Sequence, residues 1–154
     1  MKRQILFFIG LFLSFAAGSR CVPSRSMYVK QGVSGYVRIL KGNQMPSPGM
    51  PRRTPKGIPA TICIYTLVNL SQVEPDQKAS FFRAVRARLV KTVQADSTGH
   101  FEASLDTGGY SLFIRVGGLY YASLTDQFNH LAPIRVEASR VTHIALTYAA
   151  EATF

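Results

Sequence analysis

Between residues 95 and 122 apolar and polar positions take turns. Phe101, Ala103 and Leu105 are separated by Glu102 and Ser104; after a Thr107-Gly108-Gly109 turn, Tyr110, Leu112, Ile114 and Val116 alternate with Ser111, Phe113 and Arg115. A period of two is the period of a strand with one face on a core. The stretch therefore predicts strand, turn, strand, and Gly117-Gly118 turns it into a third strand at Leu119, Tyr120, Tyr121 and Ala122. Val33, Gly35, Val37 and Ile39 alternate with Ser34, Tyr36, Arg38 and Leu40, which predicts a first strand. Residues 61–69, TICIYTLVN, are rich in β-branched and aromatic side chains and read as a buried strand. Ile134 with Val136, then Ile144, Leu146 and Tyr148, supply the last strands.

One segment fits two periods. Phe82, Val85, Leu89 and Val93 suit a helical face, whereas Val85, Ala87 and Leu89 suit a strand. The strand is favoured over residues 85–95, because it leads through Asp96-Ser97-Thr98-Gly99 into the strand at Phe101 as a hairpin does. A basic amphipathic helix lying on a membrane is the alternative. Residues 41–59 carry five prolines and several glycines, so neither a ladder nor a helix continues through them, and a long exposed loop is expected. Residues 71–80 are polar around Pro75 and read as a connection. About seven short strands without a convincing helix predict an all-β, two-sheet antiparallel β-sandwich over residues 33–150, after a polar lead-in at 21–32 and before a tail at 151–154.

The chain opens with Lys2 and Arg3, an apolar run from Ile5 to Leu13 and small residues up to Ser19, the three parts of a secretory signal over residues 1–20. A spanning helix needs about 20 apolar residues and this run is shorter, so no transmembrane segment is expected after signal removal. Export to the periplasm, the outer membrane or the medium follows. Of 18 basic residues, loss of Lys2 and Arg3 leaves 16 against 8 acidic ones, so the exported chain stays basic. Arg52, Arg53 and Lys56 gather in the proline-rich loop, and Arg83, Arg86, Arg88 and Lys91 in the ambiguous segment. An exported protein rarely meets nucleic acid, and no aromatic-and-basic motif for it is present. An envelope protein, or an anionic or glycan component of the cell surface, is the expected partner, with Arg52, Arg53 and Lys56 as candidate contacts.

Only Cys21 and Cys63 are present. In an oxidising compartment they could pair, Cys21 could carry a lipid as the first mature residue, or both could stay free. Arg20 and Gly18 fit a lipid-attachment box poorly. No reactive constellation stands out: His100, His130 and His143 are scattered, no serine sits in a nucleophile elbow, and the acidic residues do not cluster. No metal, cofactor or catalytic residue is implied, and the expected function is a non-catalytic interaction or accessory module. Tyr110, directly after Gly-Gly, suits a tyrosine corner whose hydroxyl bonds a loop carbonyl. Tyr120 and Tyr121 should face opposite sides of their strand, one exposed beside residues 126–130. With Asn129 and His130 they form a candidate carbohydrate site, the alternative function.

The order VSGYVRILKGNQMPSPG, ICIY, VQADSTGHFEASLDTGGYSLFI and LAPIRV resembles the carboxypeptidase regulatory-like family. The carriers are the opening strand with Gly35, the turn from Asp96 to Gly99 followed by Phe101, and the turn from Leu105 to Tyr110. The resemblance covers residues 33–150 and is closest to stand-alone exported bacterial versions. It implies a transthyretin-like, or prealbumin-like, β-sandwich with a binding or structural role and no fixed ligand. Enzymes of related folds carry marks that are absent: the hydroxyisourate hydrolases close with Tyr-Arg-Gly-Ser, whereas this chain ends Ala-Glu-Ala-Thr-Phe, and the paired histidines of intradiol dioxygenases are missing.

Overall fold

A computed structural model describes residues 29–45 and 55–153. The expected signal segment, Cys21, Arg52 and Arg53 lie outside the described residues. The fold is all-β. Eleven strands run in order: β1 (Gly32–Asn43), β2 (Lys56–Gly57), β3 (Thr61–Thr66), β4 (Val73–Pro75), β5 (Phe81–Val85), β6 (Leu89–Gln94), β7 (His100–Ser104), β8 (Gly108–Val116), β9 (Leu119–Tyr121), β10 (Pro133–Val136) and β11 (Val141–Thr153). They form two open sheets. In the four-stranded sheet β1 lies between β11 and the short partners β7 and β2; the seven-stranded sheet runs β4-β5-β9-β8-β3-β6, with β10 also on β8.

The sheets pack face to face because each strand sends alternate apolar side chains inward. Val33, Val37, Phe101, Ala103, Leu146 and Tyr148 of the smaller sheet meet Ile62, Ile64, Leu112, Ile114, Tyr121 and Val136 of the larger. The larger sheet is apolar on its other face too. There Cys63, Tyr65, Phe82 and Phe113 are covered by Val68, Val73, Leu131 and Ala132. The continuous apolar run of β3 thus serves two cores, as expected of a strand buried on both faces. Ser111, fully buried on that outer side, accepts the Val68 N–H at 2.9 Å and ties the covering loop down. Tyr110 makes its corner, donating its hydroxyl to the Asp106 carbonyl at 2.9 Å.

Four expectations are corrected. Val85 and Leu89 do not share a strand: Val85 closes β5 opposite Val73, and residues 86–88 form a link in which Arg86 N–H binds the Gln72 carbonyl and Thr66 N–H binds the Arg88 carbonyl. The helical alternative fails with it, because Phe81 and Phe82 pair with Tyr121 and Tyr120. The turn at residues 96–99 is no hairpin, since β6 pairs with β3 and β7 with β1; the turn carries the chain from one sheet to the other. Finally, the sheets are not wholly antiparallel. β11 returns through β10 to the end where β1 starts, Gly32 N–H binds the Arg140 carbonyl at 3.0 Å, and the two strands run parallel from Gly32 opposite Val141.

The proline-rich loop is shorter at both ends than its composition predicts. Lys41 to Asn43 extend β1 because Glu151 to Thr153 pair with them, and Lys41 Nζ meets Glu151 at 2.8 Å. Lys56 and Gly57 form β2 against Ile39 and Arg38. The Gly117-Gly118 hairpin between β8 and β9 is as expected in kind, with both glycines at positive φ, 54° and 86°, as a two-residue turn of this hand requires.

Candidate binding hollow at one end of the larger sheet

Three loops meet where β8 begins. The segment after β3 brings Leu67; the turn before β8 brings Thr107, Gly108 and Gly109; and residues 126–136 bring Asp126, Phe128, His130, Ile134 and Arg135. They surround an open hollow of about 550 Å³. Gly108 and Gly109 put no side chain into it. β10 pairs with β8 from Pro133 opposite Ser111 to Val136 opposite Gly108, and this fixes one wall. The opposite wall is sewn on by backbone bonds from Leu70 N–H to the Asn129 carbonyl at 2.9 Å and from Leu131 N–H to the Val68 carbonyl at 2.9 Å. Asn69 adds a third tie, its side-chain amide donating to the Phe128 carbonyl at 3.0 Å.

The turn at 126–130 presents the chemistry. Asp126 Oδ1 accepts the N–H groups of Phe128 at 2.9 Å and His130 at 2.8 Å, and Asp126 Oδ2 lies 2.8 Å from His130 Nδ1. Partial burial pushes the Asp126 carboxyl up, but hydrogen bonds from His130 and Phe128 outweigh it and hold the group below its usual value. An ionised Asp126 keeps the proton of neutral His130 on Nδ1 and leaves Nε2 as an acceptor. Phe128 stands beside it, 64% exposed, with its ring 6.1 Å from the imidazole. Apolar walls, an exposed aromatic ring, one acceptor nitrogen and the Arg135 cation suit a ligand with an apolar face and hydroxyl or acidic groups on its rim.

The residues marked from sequence fall in different places. His130 is in the hollow. Asn129 serves through its backbone: at φ 63° it makes the bend, its N–H binds the Asp126 carbonyl, and its carbonyl accepts from Leu70. Neither Tyr120 nor Tyr121 lines the hollow, which corrects the expectation that one lies exposed beside this loop. Tyr121 is buried in the inner core, and its hydroxyl oxygen accepts the Ala149 N–H at 3.1 Å. Tyr120 is half-buried on the outer cluster, under Arg115, which sits 4.7 Å over its ring and bonds its hydroxyl at 2.7 Å. Lys56 is exposed on β2 of the smaller sheet and does not line the hollow. Cys63 is a buried free thiol. Sequence reasoning took in Phe128 only as part of the loop at 126–130 and missed Leu67 and Arg135.

A second polar cluster resembles a catalytic trio only in composition. On the outer face of the smaller sheet Ser34 lies opposite Glu102 and Tyr36 opposite His100. Ser34 Oγ is 3.3 Å from His100 Nε2, and Glu102 Oε1 is 3.6 Å from that same nitrogen. A nucleophile and an orienting carboxylate must use different ring nitrogens, so this set does not form a relay. Among the described residues no three His, Cys, Asp or Glu side chains gather as metal ligands, and no helix is long and apolar enough to cross a membrane. Comparison with protein-family models, curated proteins and solved structures gives no match.

Proposed function

We propose that this chain is an exported, non-catalytic β-sandwich module of the bacterial cell envelope, and that it binds its ligand in the hollow between residues 67–69, 107–109 and 126–136. The carrying observation is the solvent-facing Phe128 ring held beside the paired Asp126 and His130. His130 Nε2 has no serine, threonine or cysteine bonded to it among the described residues, which favours recognition over acyl transfer. The two-sheet fold with its tyrosine corner is read as a transthyretin-like member of the carboxypeptidase regulatory-like group, a module that carries binding or accessory roles.

A carbohydrate fits this hollow best. A sugar ring can lay its apolar face on Phe128 and donate a hydroxyl to His130 Nε2, while Arg135 meets an acidic substituent. Titration with neutral and uronic-acid oligosaccharides, followed by backbone amide shifts, tests the reading. Shifts confined to Leu67, Gly109, Phe128, His130 and Arg135 are expected, and their absence across a glycan array would leave a protein partner in place of a sugar. The basic residues Arg52, Arg53 and Lys56 supply a separate contact to an anionic envelope component. The triple serine variant should lose the salt dependence of retention on anionic vesicles, screened over about 10 Å at 0.1 M.

A further inference from the structure

The sheet edges are guarded unequally. β4, at one edge of the larger sheet, is three residues long, ends in Pro75 and carries the ion pair of Glu74 with Arg86. β6, at the other edge, is six residues long with an exposed Lys91 in its middle, and Lys91 Nζ reaches over to the Ser104 carbonyl of β7 at 3.4 Å. Shortness, proline and lysine are the means by which sheet edges avoid pairing with another chain. β11 has none of them. It is thirteen residues long, contains no Lys, Arg or Pro, and among the described residues pairs on one side only, with β1.

Its free side has a definite pattern. The Arg140 carbonyl points to β1, so even-numbered residues of β11 turn their backbone groups inward and residues 141, 143, 145 and 147 turn theirs to solvent. Register against β1 is regular from Val141 to Tyr148 and slips only afterwards, before Glu151. Beside this side lies a flank lined by Leu146, Thr147, Ser123 and Leu124, where Leu124 is 64% exposed.

We propose that β11 is a self-association edge on which a second copy of this chain docks antiparallel, about a two-fold axis at Ala145. The strand is self-complementary in that register. Ala145 meets the same small residue, His143 faces Thr147 of the second copy, and Ile144 faces Leu146 on the inner side. No like charges meet, although the chain as a whole carries a formal charge of +10, because its basic residues lie elsewhere. The pairing supplies about six backbone hydrogen bonds between residues 143 and 147 of the two copies. It joins the two smaller sheets into one and covers Leu124. A two-fold contact closes on itself, so growth stops at two copies.

Sedimentation equilibrium and amide hydrogen exchange on the purified chain test this. Twice the chain mass, with slow exchange at His143, Ala145 and Thr147, is expected. Thr147→Pro removes an outward donor that β1 does not use, and Ala145→Glu sets two carboxylates against each other across the axis. Both should give single-chain mass with an unchanged circular dichroism spectrum. If the proline variant fails to fold, Ala145→Glu decides alone, because its side chain points to solvent beside Tyr36. Single-chain mass for the wild type with rapid exchange at those amides overturns the proposal, and so does a dimer that survives Ala145→Glu or an assembly that grows beyond two copies.

Discussion

Two turns of this molecule share a backbone and differ in what they leave uncovered. At residues 96–100 and at 126–130 an aspartate opens the turn and a histidine closes it. In each the Asp N–H binds the His carbonyl, at 2.9 and 3.1 Å, and the fourth residue's N–H binds the Asp carbonyl, again at 2.9 and 3.1 Å. In each the Asp Oδ1 accepts two N–H groups, from the third and fifth residues. The fourth residue is left-handed in both, Gly99 at φ 86° and Asn129 at φ 63°. The third residue differs. Thr98 turns its hydroxyl back to Asp96 at 2.6 Å, whereas Phe128 turns its ring to solvent. The histidines differ as well: the His100 ring leaves its aspartate and lies tilted against Tyr36, 5.0 Å between ring centres, while His130 stays on Asp126. The backbone motif is therefore structural, and candidate chemistry arises where its side chains stay unspent.

The largest effect that separates the turns lies at their fourth residue. A Cβ on Gly99 would stand 2.2 Å from the Val37 carbonyl oxygen and 3.1 Å from Gly57 Cα, in a conformation that side chains already avoid. Gly99→Ala should cost about 3 kcal/mol or more, read by urea denaturation. Asn129 is exposed, so Asn129→Ala should cost only the left-handed conformation, roughly 1 kcal/mol. Equal costs would mean that the turn at 96–100 is not wedged between β1 and β2 as described.

Acid should weaken both turns by the same route. The Thr98 hydroxyl and the backbone N–H groups of His100 and Thr98 hold the Asp96 carboxyl below its usual value against some burial, and Asp126 is lowered as described above. A depressed folded pKa gives stability that is present above the unfolded value of about 3.9 and is lost as pH falls through the folded value. The melting temperature should drop on acidification below that point. Asp96→Asn and Asp126→Asn should each flatten part of this dependence. Only Asp126→Asn should also change ligand binding, since only that carboxylate fixes a histidine tautomer.

The strands at 101–105 and 110–116 are readable from sequence because each sets one face against the central core. Which sheet a strand joins is not. The turn at 96–99 has the same local chemistry whether the next strand lies alongside the last or crosses to the facing sheet; here Val37 N–H of β1 binds the Gly99 carbonyl, while Ala95 N–H binds the carbonyl of Ala60, just before β3. Cys63, Tyr65 and Phe113 form a second core only because loops 66–73 and 122–132 fold over them, a tertiary event without a period of its own. The candidate site was half visible. His130 attracts notice as a rare residue, and the spacing Asp-x-x-Gly/Asn-His occurs at 96–100 and again at 126–130, a signal that marks both turns. Leu67 and Arg135 reach the hollow through strand pairing across β8, so no local pattern announces them.

The smallest stability change belongs to the residue that carries the functional contrast. Phe128 is mostly exposed, its nearest ring is that of His130, and its backbone carbonyl rather than its side chain holds Asn69. Phe128→Ala should therefore move unfolding free energy by no more than about 0.5 kcal/mol. Thr98→Ala, at the matching position of the other turn, removes the hydroxyl bond to Asp96 and should cost about 1 kcal/mol. Ligand binding should rank them the other way. Loss of the stacking face in Phe128→Ala should weaken oligosaccharide binding by at least about tenfold, equivalent to 1.4 kcal/mol, while Thr98→Ala leaves it unchanged. Calorimetric titration beside urea denaturation reads both quantities on the same samples. A Phe128→Ala variant that binds as tightly as the wild type would make the turn at 126–130 as purely structural as its twin.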